Sequence, residues 1–162
     1  MAGLYKENLA LLITTAPISL DASLETIYSF GRKELRNIFR AGFVQESKSR
    51  GFFKEHNDSG IAVVRISVSV EEYEQIYKIL KEFQSQQAQY KYSMLGLLYC
   101  YLGIPHKRKD KYFCSQFVAE VLLKAGLTLF KKPETLVRPH DFLSLNIGEL
   151  IYRGQISNYR LV

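Results

Sequence analysis

The stretch GIAVVRISVSVEEYEQIYKILKEF, residues 60–83, constrains the fold more than any other part of the chain. Ile61, Val63, Val64, Ile66 and Val68 form the β-branched run of a buried strand. With no linker the pattern then turns helical. Ser69 followed by Glu72 has the form of a capping box, in which each side chain satisfies the other's backbone N–H. Tyr73, Ile76, Tyr77, Leu80 and Phe83 fall on one face of the helix that follows, while Glu71, Glu74, Lys78, Lys81 and Glu82 face water. A strand running straight into an amphipathic helix must bury a face of each. That predicts a sheet packed against helices.

The flanking segments extend this reading. Residues 8–15 read as a buried strand that Pro17 interrupts. ISL and LETIYSF read as strands separated by a turn at Asp21-Ala22-Ser23. Residues 31–60 are rich in Gly, Arg, Lys, Ser and Asn and read mostly as loop. A short strand near Gly42-Phe43-Val44 and the aromatic pair Phe52-Phe53 interrupt that loop. The Gln-rich QSQQAQ (84–89) reads as a linker or as the frayed end of that helix, and a tyrosine-rich helix follows over about 90–102. After a basic turn at Pro105 comes the helix of KYFCSQFVAEVLLKAG (111–126), then the proline-bearing connection KKPETLVRPHDF. ELIYRGQISNYRLV reads as one or two closing strands. There is no internal repeat and no domain boundary, so residues 1–162 are expected to be a single domain. Strands, then helices, then strands predict an α+β fold. Its mostly antiparallel sheet is drawn from 8–30, 61–68 and 150–161 and packs against the helices of 70–83 and Cys114.

Composition narrows the function classes. The hydrophobic fraction is 47%, the net charge +6, and the cysteines number two. Two cysteines without zinc-ligand spacing make neither a disulfide framework nor a metal site, and no cofactor motif is present. The charge is modest and spread along the chain, which disfavours nucleic acid as a partner. The basic IPHKRKDK reads as a solvated turn before a helix, with a binding module for anionic lipid or nucleic acid as the competing reading. The N-terminal apolar run is too short for a signal peptide, and YSMLGLLYCYLGI is too short for a membrane span. The expectation is a cytoplasmic protein whose contact with a membrane, if any, is peripheral.

Cys114 is the candidate reactive residue. Phe113, Phe117, Val118, Val121, Leu122 and Ala125 make one apolar stripe, Cys114 lies in register with it, and Gly126 is placed to end the helix. First-turn N–H groups favour an anion, and His106, Lys107, Arg108, Lys109 and Lys111 lie just upstream, so a depressed thiol pKa is expected. A small core cysteine fits the same pattern. Cys100, among Leu97, Leu98 and Tyr101, is expected to be the less reactive thiol.

Three blocks carry a wider likeness. LETIYSFGRK (24–33), YKYSMLGLLYCYLG (90–103) and KYFCSQFVAEVLLKAG (111–126), followed by RPHDF (138–142), resemble the circularly permuted branch of the NlpC/P60 superfamily of papain-like cysteine hydrolases. The likeness runs from about Ile18 to Phe142. It implies a papain-like fold with Cys114 as nucleophile and helix-start N–H groups as part of an oxyanion hole. It also implies a base histidine on a strand that precedes the cysteine helix in sequence, oriented by a polar residue near Tyr28 or Ser29. Here that strand reads ITTAPISLD. Thr15 stands where the histidine is expected, or Ala16 if the register slips by one, and neither is a base. His56 and His106 read as solvated turn residues. His140 occupies a variable slot of the family's Pro-any-Asp-Phe segment and is the alternative base. The expected function is therefore an impaired thiol hydrolase or acyltransferase of the amidase, peptidase or acyl-ester type. Its ligand would be a peptide, a cell-wall fragment or an acyl or lipid-type small molecule. The alternative is a pseudoenzyme that binds such a ligand in the same cleft. Oligomeric state stays open.

Overall fold

A computed structural model describes residues 6–13, 16–34 and 37–160 of the chain. The β-branched strand β5 (Gly60–Ser69) lies inside a six-stranded sheet. The others are β1 (Lys6–Leu12), β2 (Ile18–Ser19), β3 (Ile27–Glu34), β4 (Asn37–Glu46) and, near the C-terminus, β8 (Gly148–Gln155). The order across the sheet is β4-β3-β2-β1-β5-β8, and every neighbouring pair is antiparallel. The chain is thus mixed α+β with a mostly antiparallel sheet.

β5 is almost continuously apolar because both of its faces are covered. Val64, Ile66 and Val68 join Leu9 and Leu11 in a core under the long helices α2 (Val70–Ser85) and α4 (Cys114–Lys124). Ile61 and Val63 point the other way, with Ala10 and Leu12, onto Phe53, Ile156 and Tyr159. Phe53 belongs to a single helical turn, α1 (Phe52–Glu55). Alternation along the strands therefore feeds two cores from one sheet.

The capping box forms. Ser69 Oγ accepts from the Glu72 N–H at 3.1 Å, and Glu72 Oε2 accepts from the Ser69 N–H at 2.8 Å. Ile76, Leu80 and Phe83 of α2 are buried, whereas Tyr77, expected on the same stripe, is 46% exposed. The Asp21-Ala22-Ser23 turn is also present, with Asp21 Oδ1 accepting from the Ser23 N–H at 2.7 Å.

Residues 31–34 and 37–46 are strand and not the loop their composition suggested. β3 and β4 form a long hairpin in register from Ile27↔Glu46 to Glu34↔Asn37, with a bulge between Arg32 and Glu34. Polar residues suit β4 because it is the edge of the sheet. The hairpin is held by pairing that local sequence does not encode: Phe30 faces Phe43 across the strands, ring centroids 6.0 Å apart. Phe83 and Phe117 close on the same rings, with Phe30–Phe117 at 4.9 Å and Phe83–Phe117 at 5.1 Å.

The tyrosine-rich helix is shorter than expected. Lys91–Tyr92 form a short strand, β6, parallel to β7 (Lys111–Tyr112), and only Met94–Tyr101 are helical, as α3. Ser93 Oγ caps α3 by accepting from the Gly96 N–H at 3.0 Å. Helix α4 is central: every residue from Ser115 to Leu122 is buried. Gly126, at φ 97°, ends it as expected. Its N–H donates to Leu123 O and that of Leu127 to Leu122 O, each at 3.0 Å, the pair of bonds of a left-handed helix stop.

Candidate functional site

Cys114 is the first residue of α4. Its place is set from both sides. Phe113, wholly buried, enters the helix in extended conformation, and β7 immediately before it is pinned to β6. That pinning sets Tyr92 opposite Tyr112 and places it in the wall of the cleft that Cys114 also lines, where its hydroxyl favours the thiolate.

The thiol is half-buried at the wall of a cleft of about 580 Å³. Ser29, Phe30 and Gly31 of β3 form one side, and Ala41, Val44 and Glu46 of β4 continue it. Phe52 and Phe53 of α1, together with Tyr92, Met94 and Leu97, complete the lining. The lining is mainly apolar, with the thiol, one carboxyl and two hydroxyls as its polar groups. Glu46 Oε1 accepts from the Phe52 N–H at 3.3 Å, and burial pushes the Glu46 carboxyl above its usual range.

The thiol pKa runs opposite to expectation. Burial dominates and pushes Cys114 up. The Ser115 backbone N–H and the Tyr92 hydroxyl pull it down, as donors to a thiolate do, but they do not overcome burial. Tyr92 is itself pushed well above its usual range, first by burial and then by Cys114. The upstream cations are partly committed elsewhere. Lys107 lies 3.2 Å from Glu120 and 2.7 Å from Glu134, so it serves a buried acid on the far part of α4. Cys100, nearly inaccessible on α3, is also raised by burial.

The structure separates the other candidates. Thr15, the position expected for the histidine, lies outside the described residues. Ala16 is buried in the core beneath the helices, at φ 48°. Ser29 lines the cleft, whereas Tyr28 is core, stacked on Phe43 at 5.9 Å. His140 does not line the cleft; its side chain is 67% exposed and lies 3.6 Å from Asp141, which is itself bound to Lys132 at 2.6 Å. His56 and His106 are not simply solvated. His56 stacks on Phe52 at 4.2 Å, behind the cleft wall, and His106 packs on Tyr99 at 4.5 Å. Among the described lining residues there is no imidazole.

Glu46 and Tyr92 are the residues that sequence reasoning missed. Tyr92 reaches Cys114 only through the β6–β7 pairing, which is not local. Glu46 had a faint signal, since Gly51 before Phe52-Phe53 marks a turn that folds the aromatic pair back on β4. Gly51 sits at φ 70°, a conformation that favours glycine. Among the described residues no three His, Cys, Asp or Glu side chains converge as metal ligands.

The arrangement can hold an apolar group against a thiol whose developing negative charge meets an N–H and a hydroxyl. Compared with models of known protein families, with curated proteins and with solved structures, the chain matches none.

Proposed function

We propose that this chain is a papain-like thiol hydrolase of the permuted NlpC/P60 type, with Cys114 in the nucleophile position and an acyl or apolar peptide group as its ligand, and that its turnover is weak. The observation that carries this reading is the start of helix α4 at the wall of a largely apolar cleft. A thiolate at Cys114 would attack a carbonyl carbon and expel an amine or alcohol, which takes up a proton. Water would then cleave the acyl-cysteine. The Ser115 N–H and the Tyr92 hydroxyl, which both pull the thiol pKa down, are suited to the charge that develops.

Weak turnover follows from two further observations. Burial keeps the thiol protonated near neutral pH, and no histidine stands among the described residues of the wall. A general base contributes about 10²–10⁴-fold to such a step. The same two observations favour a second reading, in which the cleft binds its acyl or peptide group without turning it over.

The test is hydrolysis of p-nitrophenyl acyl esters, with acylation of Cys114 followed by mass spectrometry. The expected result is slow acylation that disappears in Cys114→Ser. Thr15→His should raise the rate by about 10²-fold or more. Fast turnover by the unmodified chain would overturn the impaired reading, and no gain from a folded Thr15→His variant would overturn the family assignment; Ala16, buried in the core at φ 48°, cannot receive the histidine.

A further inference from the structure

Helix α3 is apolar nearly all round, yet it buries only Gly96 and Cys100. A helix of that composition is normally enclosed by protein. Here Met94, Leu95, Leu98, Tyr101, Leu102 and Ile104 are each between 42% and 69% exposed, on the helix and on the loop that follows. Six large apolar side chains from one eleven-residue stretch are a contiguous patch of the kind that marks an interaction surface. From Lys91 to Lys111 the chain carries Lys91, Lys107, Arg108, Lys109 and Lys111 against Asp110 as the one acid. Arg108 and Lys109 are exposed, and Lys91 is paired in register with Lys111 at the base of the helix.

We infer that this face docks on the surface of an anionic lipid bilayer. An apolar tip with a basic collar is the form of an interfacial membrane contact: the apolar side chains enter the headgroup boundary and the cations meet the lipid charge. The run from Tyr101 to Pro105 is exposed at every residue and lines no part of the Cys114 cleft, and a bilayer needs no matching concavity to receive it. With Lys107 held by Glu120 and Glu134, the collar of Lys91, Arg108, Lys109 and Lys111 against Asp110 is still net positive, which fits a uniformly anionic surface better than the mixed rim of a protein partner. Met94 belongs to both features, since it is exposed on the patch and lines the Cys114 cleft. The docked face would therefore hold the mouth of the cleft against the lipid and lead acyl chains toward Cys114. That last step rests on the proposed function; the docking does not.

The chain contains no tryptophan, so Tyr101→Trp installs a single reporter at the tip. The full chain is mixed with vesicles of phosphatidylcholine alone or with added phosphatidylglycerol, and sedimentation and emission are read together. The expected result is co-sedimentation with the anionic vesicles, weakened by salt, with a blue shift of the tryptophan. Leu98→Asp and Leu102→Asp should each weaken binding by about tenfold or more, the worth of one buried leucine. Both positions are exposed, so thermal unfolding should be unchanged. Absence of binding to either vesicle would overturn the inference. So would binding that both aspartate variants leave intact, which would be adsorption by net charge alone. A dimer that Leu98→Asp dissolves, or an acidic protein partner that binds the patch in place of vesicles, would also overturn it. Cys114→Ala should dock like the unmodified chain. Docking without any ester acylation would remove the proposed function and leave this inference standing.

Discussion

At the scale of single residues, two effects compete at Cys114, and burial is the stronger. A helix start offers N–H groups to a thiolate, but a wall built from Phe30, Phe52, Phe53, Met94 and Leu97 withholds water from it. Alkylation follows the thiolate, so labelling of Cys114 should be slow at neutral pH and climb only above the ordinary thiol range of about 8.5. Cys100 should react later still, because it is shut inside α3. Peptide mapping after iodoacetamide treatment checks the order, and Cys100 labelled first would contradict it. Tyr92→Phe removes a donor to the thiolate, so the thiol pKa should rise further. Labelling at a fixed alkaline pH should then fall about tenfold, the worth of a hydrogen bond to a charged group. The stability linkage has a definite sign. The unfolded thiol ionises before the folded one, so the contribution of Cys114 is complete below the ordinary thiol pKa and is lost as pH rises above it. The position of Cys114 was legible in sequence, because a local apolar period fixes both helix and register. Its pKa direction was not, because desolvation comes from β3, β4 and α1, far away in the chain.

At the scale of elements, Glu120 ties three segments together. It is nearly inaccessible in α4, yet it accepts from the Tyr112 hydroxyl at 3.3 Å and lies 3.0 Å from Lys124 and 3.2 Å from Lys107. Lys107 also reaches Glu134, so the basic turn is fastened to α4 and to the 3-10 turn Glu134–Leu136. Burial alone would lower the Lys107 pKa, but the two carboxylates outweigh it and hold the ammonium above its usual range. Each lysine is about half exposed, so neither is indispensable while the other remains. Lys107→Ala or Lys124→Ala alone should cost about 1 kcal/mol or less. The double variant leaves a buried carboxylate without a cation and should cost about 3 kcal/mol. A urea-denaturation double-mutant cycle measures the excess, and strict additivity would show that the carboxylate is solvated instead. The sequence reading took this turn as solvated because a run of cations carries no sign of the acid it meets across the fold. The β3–β4 hairpin was missed for a related reason. Its Phe30–Phe43 contact and the rings of Phe83 and Phe117 that close on it lie outside any local pattern, while its composition resembles loop. The α2 capping box and the Gly126 stop were legible because each is complete within a few consecutive residues.

At the scale of the whole molecule, one sheet serves two cores, and this decides how the chain should unfold. Leu11 and Leu12 are neighbours in β1, each with at most 1% of its surface exposed. Leu11 packs under α2 and α4; Leu12 packs on the opposite face with Phe53, Ile156 and Tyr159. The alternation was readable from β5 and β1, but the partner on the second face was not, because α1 and the C-terminal turn give no strong periodic signal. If the second core were a separate, weaker layer, loss of Leu12 would melt it first and leave the helix side folded. The bonding argues otherwise. β1 is bound to β5 along its whole length, from Lys6↔Ser69 to Leu12↔Val63, so neither face can open without breaking a ladder that the other also needs. Leu11→Ala and Leu12→Ala should therefore each cost about 2–5 kcal/mol. Both should shift the urea midpoint without changing the slope of the transition. Far-UV circular dichroism and tyrosine fluorescence should trace the same single curve in each variant. A biphasic curve confined to Leu12→Ala would show that the second core folds on its own, and that the sheet does not couple the Phe52-Phe53 wall of the cleft to the helix that carries Cys114.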